Sequence, residues 1–458
     1  MGGRGRYEGL LEAVWGGAGI AEEGGAGAVP NEMELQSRWY AGEWGKGMRT
    51  TDGREVEVVD FGVWNHAAGA DFWEVVVLLD GVRKRGKLEL DVEARGWESH
   101  GHSANPAYND VVLHVFFGDV GRGRFFTRTS DDREVPQVWL DLDGGGGGRR
   151  RRGVLPEAKA GMCSRPLEGM EAGRVRTLLA AAAEYRVGRK VKRLVCAEAA
   201  QGREQAVFQG VAEALGYRRN KLAMTVLAQR LPLKLLAKAG GEAEALIFGV
   251  AGFLEGRVFE GAADDTREYL RGLWDCWWKR RSEYAPEEGR GAGWVFSGSR
   301  PVNHPQRRVA ALARVAAGWK GLWAAVDGGD VRAVRDFLTG MRHGYWSCHY
   351  TLTSKRSARE MALVGEARAN EMLANVFFPY WAGRGDDVWG EYCKLPARLE
   401  NEKSRRGSLR LLGERGDAGE LAGTMCGQQG LLQLYEDFCL EDDSGCEDCP
   451  FPEQLGQW

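Results

Sequence analysis

Apolar and polar residues alternate in short runs through the first 143 residues of the chain. Runs of this length, rich in β-branched residues and separated by turn residues, are typical of strands. We therefore predict five strands, at residues 54–60, 72–79, 87–92, 111–117 and 135–142. A turn at Asp80 and Gly81 is expected to join the second strand to the third.

Beyond position 153 the apolar residues recur at helical spacing instead. The pattern predicts helices at residues 175–185, 206–214, 222–239, 307–317 and 331–342. The fold class that follows is α+β, with a β-rich, mixed α/β N-terminal domain before an all-helical region. We expect that domain at 1–143, a Gly/Arg linker at 144–153, a basic helical domain at 154–425 and a cysteine-rich tail at 426–458.

Charge is unevenly distributed along a chain whose net charge is −3. Residues 1–143 carry a net −10, residues 144–435 a net +15 and residues 436–458 a net −8. A basic region of this size favours an anionic partner such as nucleic acid. The alternative is electrostatic complementarity between domains of the same chain.

The sequence contains no apolar run of about 20 residues, the length that a membrane helix needs. The basic start of the chain is a poor secretion signal, because its apolar segment is short and interrupted by Glu12. Nine cysteines without regular spacing over most of the chain favour a reducing compartment over a disulfide framework. We expect a cytoplasmic protein without a membrane partner.

The third predicted strand places Lys87, Glu89 and Asp91 on one face. Neighbouring carboxylates repel each other, so such pairs usually have a cation or an arginine between them. Folding the preceding strand back through its turn brings Asp71 level with them. The alternative is that Glu89 and Asp91 face solvent and pair simply with Lys87 or Arg83.

His100 and His102 follow closely, and two imidazoles at this spacing can reach one divalent ion. With Asp71, Glu89 and Asp91 they would form a site for Mg²⁺ or Mn²⁺, Zn²⁺ being the alternative. His114 lies in an apolar strand, where a hydrogen-bonded core histidine is the usual role.

Three arginines and an asparagine gather where a helix is predicted to begin, at Arg300, Asn303, Arg307 and Arg308. Helix N-termini and arginines both bind phosphate, so this segment is a candidate nucleic-acid contact. The alternative is pairing of these arginines with the acidic first domain.

Three cysteines near the end of the chain, Cys439, Cys446 and Cys449, have the spacing C-x6-C-x2-C. Such a group resembles a structural zinc or iron–sulfur site, which requires a fourth ligand. The candidates for it are Cys426, Cys393 and the pair Cys348–His349. The alternatives are reduced thiols or a local disulfide.

Several of these motifs together resemble a bacterial group, the domain-of-unknown-function family 2851. The motifs of the first domain are TDGR (51–54), FGVWN (61–65), AGADF (68–72), GKLELD (86–91), WESHGH (97–102), NPAYN (105–109) and VLHV (112–115). The resemblance continues through FGVAG (248–252), SRPVNHP (299–305), YWSCHY (345–350) and the terminal cysteines. It covers nearly the whole chain and implies no activity.

A second resemblance is to nucleases with a Pro-Asp, a hairpin and then Asp/Glu-x-Lys. Asp71 precedes Glu89 by 18 residues across a predicted hairpin, but Ala70 replaces the proline and Asp91 the lysine. Lys87 or a histidine would have to supply the missing cation. The resemblance implies a restriction-endonuclease-like domain. Together with the histidine pair it leads us to expect the catalytic residues Asp71, Glu89, Asp91, Lys87, His100 and His102, with Asp71, Glu89, Asp91 and His102 on the metal.

We therefore expect metal-dependent phosphodiester hydrolysis on nucleic acid, with the basic helices holding the backbone. One alternative is a non-catalytic scaffold that binds nucleic acid or an acidic protein. Another is a hydrolase of a small phosphorylated molecule.

Overall fold

The computed structural model describes residues 3–15, 32–65, 69–118, 126–141, 159–254, 256, 260, 262–284, 293–296, 300–399, 402–439, 446 and 449–458. Nine strands lie in these ranges: β1 (Gly47–Arg49), β2 (Glu55–Asp60), β3 (Val63–Trp64), β4 (Phe72–Leu79), β5 (Val82–Asp91), β6 (Val111–Phe116), β7 (Thr127–Arg128), β8 (Glu134–Val135) and β9 (Gln137–Trp139).

Helices make up most of the remaining structure. In the same described ranges they are α1 (Gly3–Trp15), α2 (Glu32–Tyr40), α3 (Gly96–Ser99), α4 (Ser164–Gly169), α5 (Ala172–Gln201), α6 (Arg203–Leu215), α7 (Lys221–Arg230), α8 (Leu233–Ala239), α9 (Ala243–Val250), α10 (Asp264–Tyr284), α11 (Pro305–Ala317), α12 (Trp319–Asp327), α13 (Val331–Gly340), α14 (Glu366–Met372), α15 (Phe378–Arg384), α16 (Trp389–Lys394), α17 (Glu402–Leu412), α18 (Ala418–Leu421), α19 (Met425–Cys439) and α20 (Phe451–Leu455). A β-rich segment followed by helices confirms the predicted α+β class.

The main sheet has the strand order β1-β2-β4-β5-β6-β9, and β3 pairs with β4. Strands β1, β2, β4 and β5 are antiparallel neighbours, whereas β5, β6 and β9 are parallel. Asp80 and Gly81 form the predicted turn between β4 and β5, and both have positive φ, as a two-residue hairpin of type I′ requires. The sheet is therefore mixed, with β5 at the change of direction.

Two predicted elements are interrupted at prolines. The strand predicted at 135–142 is split at Pro136, so that β8 pairs with β7 and β9 joins the main sheet. Proline has no N–H to donate to a ladder, which explains the break. The helix predicted at 222–239 likewise ends at Arg230 and restarts at Leu233, with Pro232 as the N-cap.

One face of the sheet carries the hydrophobic core of this region. Leu88 and Leu90 of β5 and Leu113 and Val115 of β6 are fully buried there, and Trp39 of α2 packs into the same cluster. Because side chains alternate along a strand, residues 89, 91 and 114 lie on the opposite face. The core thus fixes which face presents the polar residues.

The chain folds into two compact units, each assembled from segments that are distant in the sequence. The sheet unit comprises residues 29–147 and 193–364, and the tail unit comprises residues 1–28, 148–192 and 365–458. Tyr7, Leu178, Leu434 and Phe451 belong to the core of the tail unit. The linker predicted at 144–153 lies outside the described residues, and the predicted domain bounds stay a prediction.

No single helix in the described ranges is long and apolar enough to cross a membrane, although the bent pair α11 and α12 together reaches that length and composition.

Candidate metal centre

Strand β5 supplies two buried carboxylates. Glu89 is 5% exposed and Asp91 is 1% exposed, although both lie on the face away from the core. Lys87 is turned away from them: its Nζ lies 3.0 Å from Asp110 Oδ1 and donates to the carbonyl of Ala107. The alternative that Glu89 and Asp91 face solvent and pair with Lys87 or Arg83 is therefore wrong, because both carboxylates are buried.

Asp71 lies directly before β4 and reaches Glu89, as the hairpin predicts. Its backbone N–H donates to Glu89 Oε2 at 3.1 Å, and its own Oδ2 accepts from the backbone N–H of Leu90 at 3.0 Å. Gln36 of α2 donates to Asp71 Oδ1 at 2.7 Å. Asp71 is thus held against β5 by donors to both of its carboxylate oxygens.

The two histidines come from the segment that follows α3, where Gly101 has the positive φ that lets the chain turn between them. His100 Nδ1 lies 3.1 Å from Asp91 Oδ1, and His102 Nδ1 lies 3.3 Å from Glu89 Oε1. His100 is half-exposed and His102 is buried. The histidines thus approach the carboxylates of β5 from the surface.

Asp91, His100 and His102 bring one ligand atom each within 4.8 Å of the other two, the only such group of three or more in the described ranges. We call these three residues the metal triad. The triad includes Asp91 and His102 of the predicted ligands. Asp71 and Glu89, which were also predicted as ligands, are not part of the triad, whereas His100 is. Glu89 nevertheless contacts His102.

His114 of β6 contacts the second carboxylate oxygen of Asp91 and so helps to orient it. Its Nε2 lies 3.1 Å from Asp91 Oδ2, its Nδ1 lies 2.6 Å from Thr127 Oγ1, and Gln137 donates to the same hydroxyl. An N–H must face the carboxylate, so His114 carries its proton on Nε2 and the Thr127 hydroxyl donates to Nδ1. His114 is a buried, hydrogen-bonded histidine, and it also holds a triad member in place.

Aromatic residues and one glycine shape the rest of the site. Tyr108 stacks on His102 with ring centroids 4.0 Å apart, and the edge of Trp97 contacts the same imidazole. A Cβ on Gly96 would lie 2.3 Å from Asp91 Oδ1, closer than any real contact. Position 96 therefore has to be glycine for Asp91 to keep this position.

Burial and mutual repulsion shift the protonation of the site. Burial, Asp71 and Asp91 raise the pKa of Glu89 well above its usual range. Burial lowers the pKa of His102 to about 4, an effect that His100 and His114 reinforce and Asp91 opposes. At neutral pH His102 is therefore neutral with a free electron pair for a metal, and Glu89 holds a proton that a cation would displace.

Two atoms of the triad are buried without a hydrogen bond from any described residue, Asp91 Oδ1 and His102 Nδ1. Their short contacts to His100 and Glu89 lack hydrogen-bond geometry. A buried polar atom without a partner costs about 1–3 kcal/mol. A carboxylate oxygen and an imidazole nitrogen are both ordinary metal ligands, so a divalent cation is a suitable partner for atoms of this kind.

Two of the four residues predicted to bind phosphate, Arg307 and Arg308, are buried. Arg307 is 1% exposed and donates to the carbonyls of Trp346, Met361 and Ala362, and Arg308 donates to that of Val302. These contacts tie backbone segments together, which gives both arginines a structural role. The phosphate contact and the alternative pairing with acidic residues stay predictions. Arg300 is exposed and Asn303 is half-buried.

The tail cysteines Cys439, Cys446 and Cys449 are not in disulfides, so the structure does not contain the local disulfide considered as an alternative. Two of the candidates for a fourth ligand shift each other's pKa: Cys393 raises that of Cys426, and Cys426 lowers that of Cys393.

Sequence reasoning missed Gln36, Gly96 and Thr127, which support the site from other elements. Gln36 and Thr127 have no local signal, because each meets its partner only through the packing of distant segments. Gly96 precedes the WESHGH motif, and its closeness to that motif is the one signal that could have pointed to it.

A family of proteins of unknown function (DUF2851) has a sequence model that matches residues 32–393. The chain belongs to this family. The match includes every residue of the metal triad and its supports, and it ends before the tail cysteines. No curated protein and no solved structure matches the chain.

Proposed function

We propose that this protein is a metal-dependent phosphodiesterase that acts on nucleic acid, with its metal on Asp91, His100 and His102. The observation that carries the proposal is the convergence of the triad together with the two buried, unsatisfied ligand atoms, Asp91 Oδ1 and His102 Nδ1. Buried polar atoms of this kind are normally paired, and a cation between them supplies the partner.

The donor set favours particular metals. Two imidazole nitrogens and one carboxylate oxygen suit Mn²⁺ or Zn²⁺ better than Mg²⁺, which prefers oxygen ligands and retains most of its waters. Glu89, in contact with His102, is the fourth candidate ligand once its proton leaves. This changes the expectation from Mg²⁺ or Mn²⁺ to Mn²⁺ or Zn²⁺.

A divalent ion on the triad supplies two functions for phosphodiester hydrolysis: it polarises a phosphoryl oxygen and lowers the pKa of a bound water. Glu89 lies beside the triad with a raised pKa, so it is the residue placed to exchange a proton with that water. Asp71 positions Glu89 through its backbone N–H. Lys87 is paired with Asp110, so no catalytic role is assigned to it.

The hairpin that carries the site supports a nucleic-acid substrate. Arg83, Lys84 and Arg85 are exposed at the start of β5, and Trp73 of β4 is 41% exposed two residues after Asp71. Exposed basic residues attract a phosphate backbone, and an exposed indole offers a surface on which a base can stack. The net charge of +15 over residues 144–435 agrees with an anionic substrate.

Cleavage of labelled single- and double-stranded DNA and RNA with Mn²⁺, Zn²⁺ or Mg²⁺ tests the proposal. His100→Ala is the best variant, because His100 is half-exposed and its loss leaves the core intact. Glu98→Gln, an exposed change in the same helical turn, is the matched control. We expect wild type and Glu98→Gln to cleave and His100→Ala to lose both cleavage and metal.

Two results contradict the proposal. If metal-loaded wild type binds nucleic acid with a steep salt dependence but cleaves none of these substrates, a non-catalytic scaffold replaces it. If wild type hydrolyses a small phosphodiester but no polynucleotide, the substrate class is a small phosphorylated molecule.

A further inference from the structure

Four cysteines lie together in the tail unit, although the sequence pattern identifies only three. Cys163 directly precedes α4, Cys439 ends α19, and Cys446 and Cys449 lie between α19 and α20. Cys163 and Cys439 are 4% and 7% exposed and belong to one hydrophobic cluster, and Cys449 packs against that cluster. The tail is therefore folded back onto the loop that carries Cys163.

Contacts among the thiols join them into one group. The neighbouring thiol of Cys439, burial, and the thiols of Cys446 and Cys449 raise the pKa of Cys163. Burial raises the pKa of Cys449, and Cys439 and Cys446 add to this effect. The backbone N–H of Cys449 donates to the Cys446 carbonyl at 3.2 Å. None of the four is in a disulfide. Thiols gathered in this number are ordinarily metal ligands.

Arg410 of α17 connects the two parts of this cysteine cluster. Its Nη2 donates to Cys446 Sγ at 3.4 Å, and its carbonyl accepts from the backbone N–H of Gly161 at 2.8 Å and from Cys163 Sγ at 3.8 Å. Hydrogen bonds to ligand sulfurs tune metal clusters. The loop of Cys163 is thus anchored to the helix that contacts Cys446.

We propose that Cys163, Cys439, Cys446 and Cys449 together bind an iron–sulfur cluster. The spacing of the thiols favours this cofactor over a single zinc ion. Zinc bonds sulfur at about 2.3 Å, so four thiolates in a tetrahedron around it lie roughly 3.8 Å apart.

In the described part of the chain no three cysteine sulfurs lie within 4.8 Å of one another. A cluster of several irons, each bonded to one thiolate, holds its ligands farther apart than a single ion does. The cluster joins the C-terminal segment to a loop far away in the sequence, and metal-ligand bonds of this kind add directly to the stability of the fold.

Metal analysis of the full-length protein, purified without oxygen, tests this proposal. We expect several irons and a comparable amount of acid-labile sulfide per chain, with the brown colour of iron–sulfur charge transfer. Cys163→Ser should lose most of the iron and sulfide. Cys276→Ser, a change of a half-buried cysteine in α10, is the matched control and should keep both.

Circular dichroism of each variant separates loss of the cluster from loss of the fold. If Cys163→Ser does not fold, Cys446→Ser decides, because Cys446 is only half-buried and its serine variant disturbs the core less. Iron and sulfide that persist in folded Cys163→Ser would remove Cys163 from the ligand set. One zinc per chain without sulfide, or a folded wild type without metal, would overturn the cluster assignment.

Discussion

Gly96→Ala is the sharpest test of the metal triad, because it changes no ligand. The new Cβ would lie 2.3 Å from Asp91 Oδ1 and 2.4 Å from its Cγ, whereas ordinary contacts begin at 3.4 Å. The Asp91 carboxylate must therefore move by about 1 Å. A shift of this size also strains its 3.1 Å contact with His114 Nε2.

The expected magnitudes separate binding from folding. Overpacking of a well-packed site costs about 1–3 kcal/mol, and alanine regains roughly 0.5–1 kcal/mol over glycine in a helical turn. We therefore expect a net destabilisation of about 1–2 kcal/mol. Disturbance of a ligand's supports typically weakens metal affinity about 10–100-fold, so the loss of metal should exceed what the change in folding explains.

Competition of the protein with a fluorescent chelator for Mn²⁺ or Zn²⁺ measures that affinity, and thermal unfolding measures the stability. Gly272→Ala is the matched control, because Gly272 lies within helix α10 and a Cβ there meets nothing within 4 Å. It should bind metal as wild type does. A folded Gly96→Ala protein with wild-type metal affinity would refute the assignment of Asp91 as a ligand.

Three further predictions concern the same region and its neighbours. The pKa of Glu89 is raised in the folded state, so the metal-free protein should lose stability as pH rises above the unfolded value of about 4.3. Glu89→Gln should remove this loss of stability, raise the melting temperature of the metal-free protein by a few degrees at pH 8, and weaken metal binding. Melting curves from pH 5 to 9, with and without metal, measure these effects. Thr127→Val removes the donor to His114 Nδ1 and should lower metal affinity about 10-fold without unfolding the protein. An unchanged metal affinity would mean that His114 holds Asp91 without the Thr127 hydroxyl. Arg307→Ala should destabilise the fold by about 3 kcal/mol in urea unfolding because it leaves buried carbonyls unpaired. Its folded fraction should bind nucleic acid as wild type does. A loss of nucleic-acid binding without loss of stability would instead identify Arg307 as a phosphate contact.

Local pattern was sufficient for much of the architecture. The alternation in β5 predicted that Glu89 and Asp91 share a face, and Asp80-Gly81 predicted the hairpin that brings Asp71 to them. The hydrophobic periodicity and the turn residues depend only on neighbours in the sequence, so they can be recognised without a structure. The family resemblance was also available from motifs alone and is confirmed over residues 32–393.

The sequence by itself determined the strands β2, β4, β5 and β6, the shared face of the two carboxylates and the closeness of His100 to His102. Only the tertiary structure decided that those carboxylates are buried, that His114 turns Asp91 toward the histidines, and that Cys163 joins the tail cysteines. The physical reason is range: periodicity is set by neighbouring residues, whereas burial and convergence depend on which distant segments pack together. Thr127, Gln36 and Cys163 each act across such a distance, and no spacing within the chain encodes it.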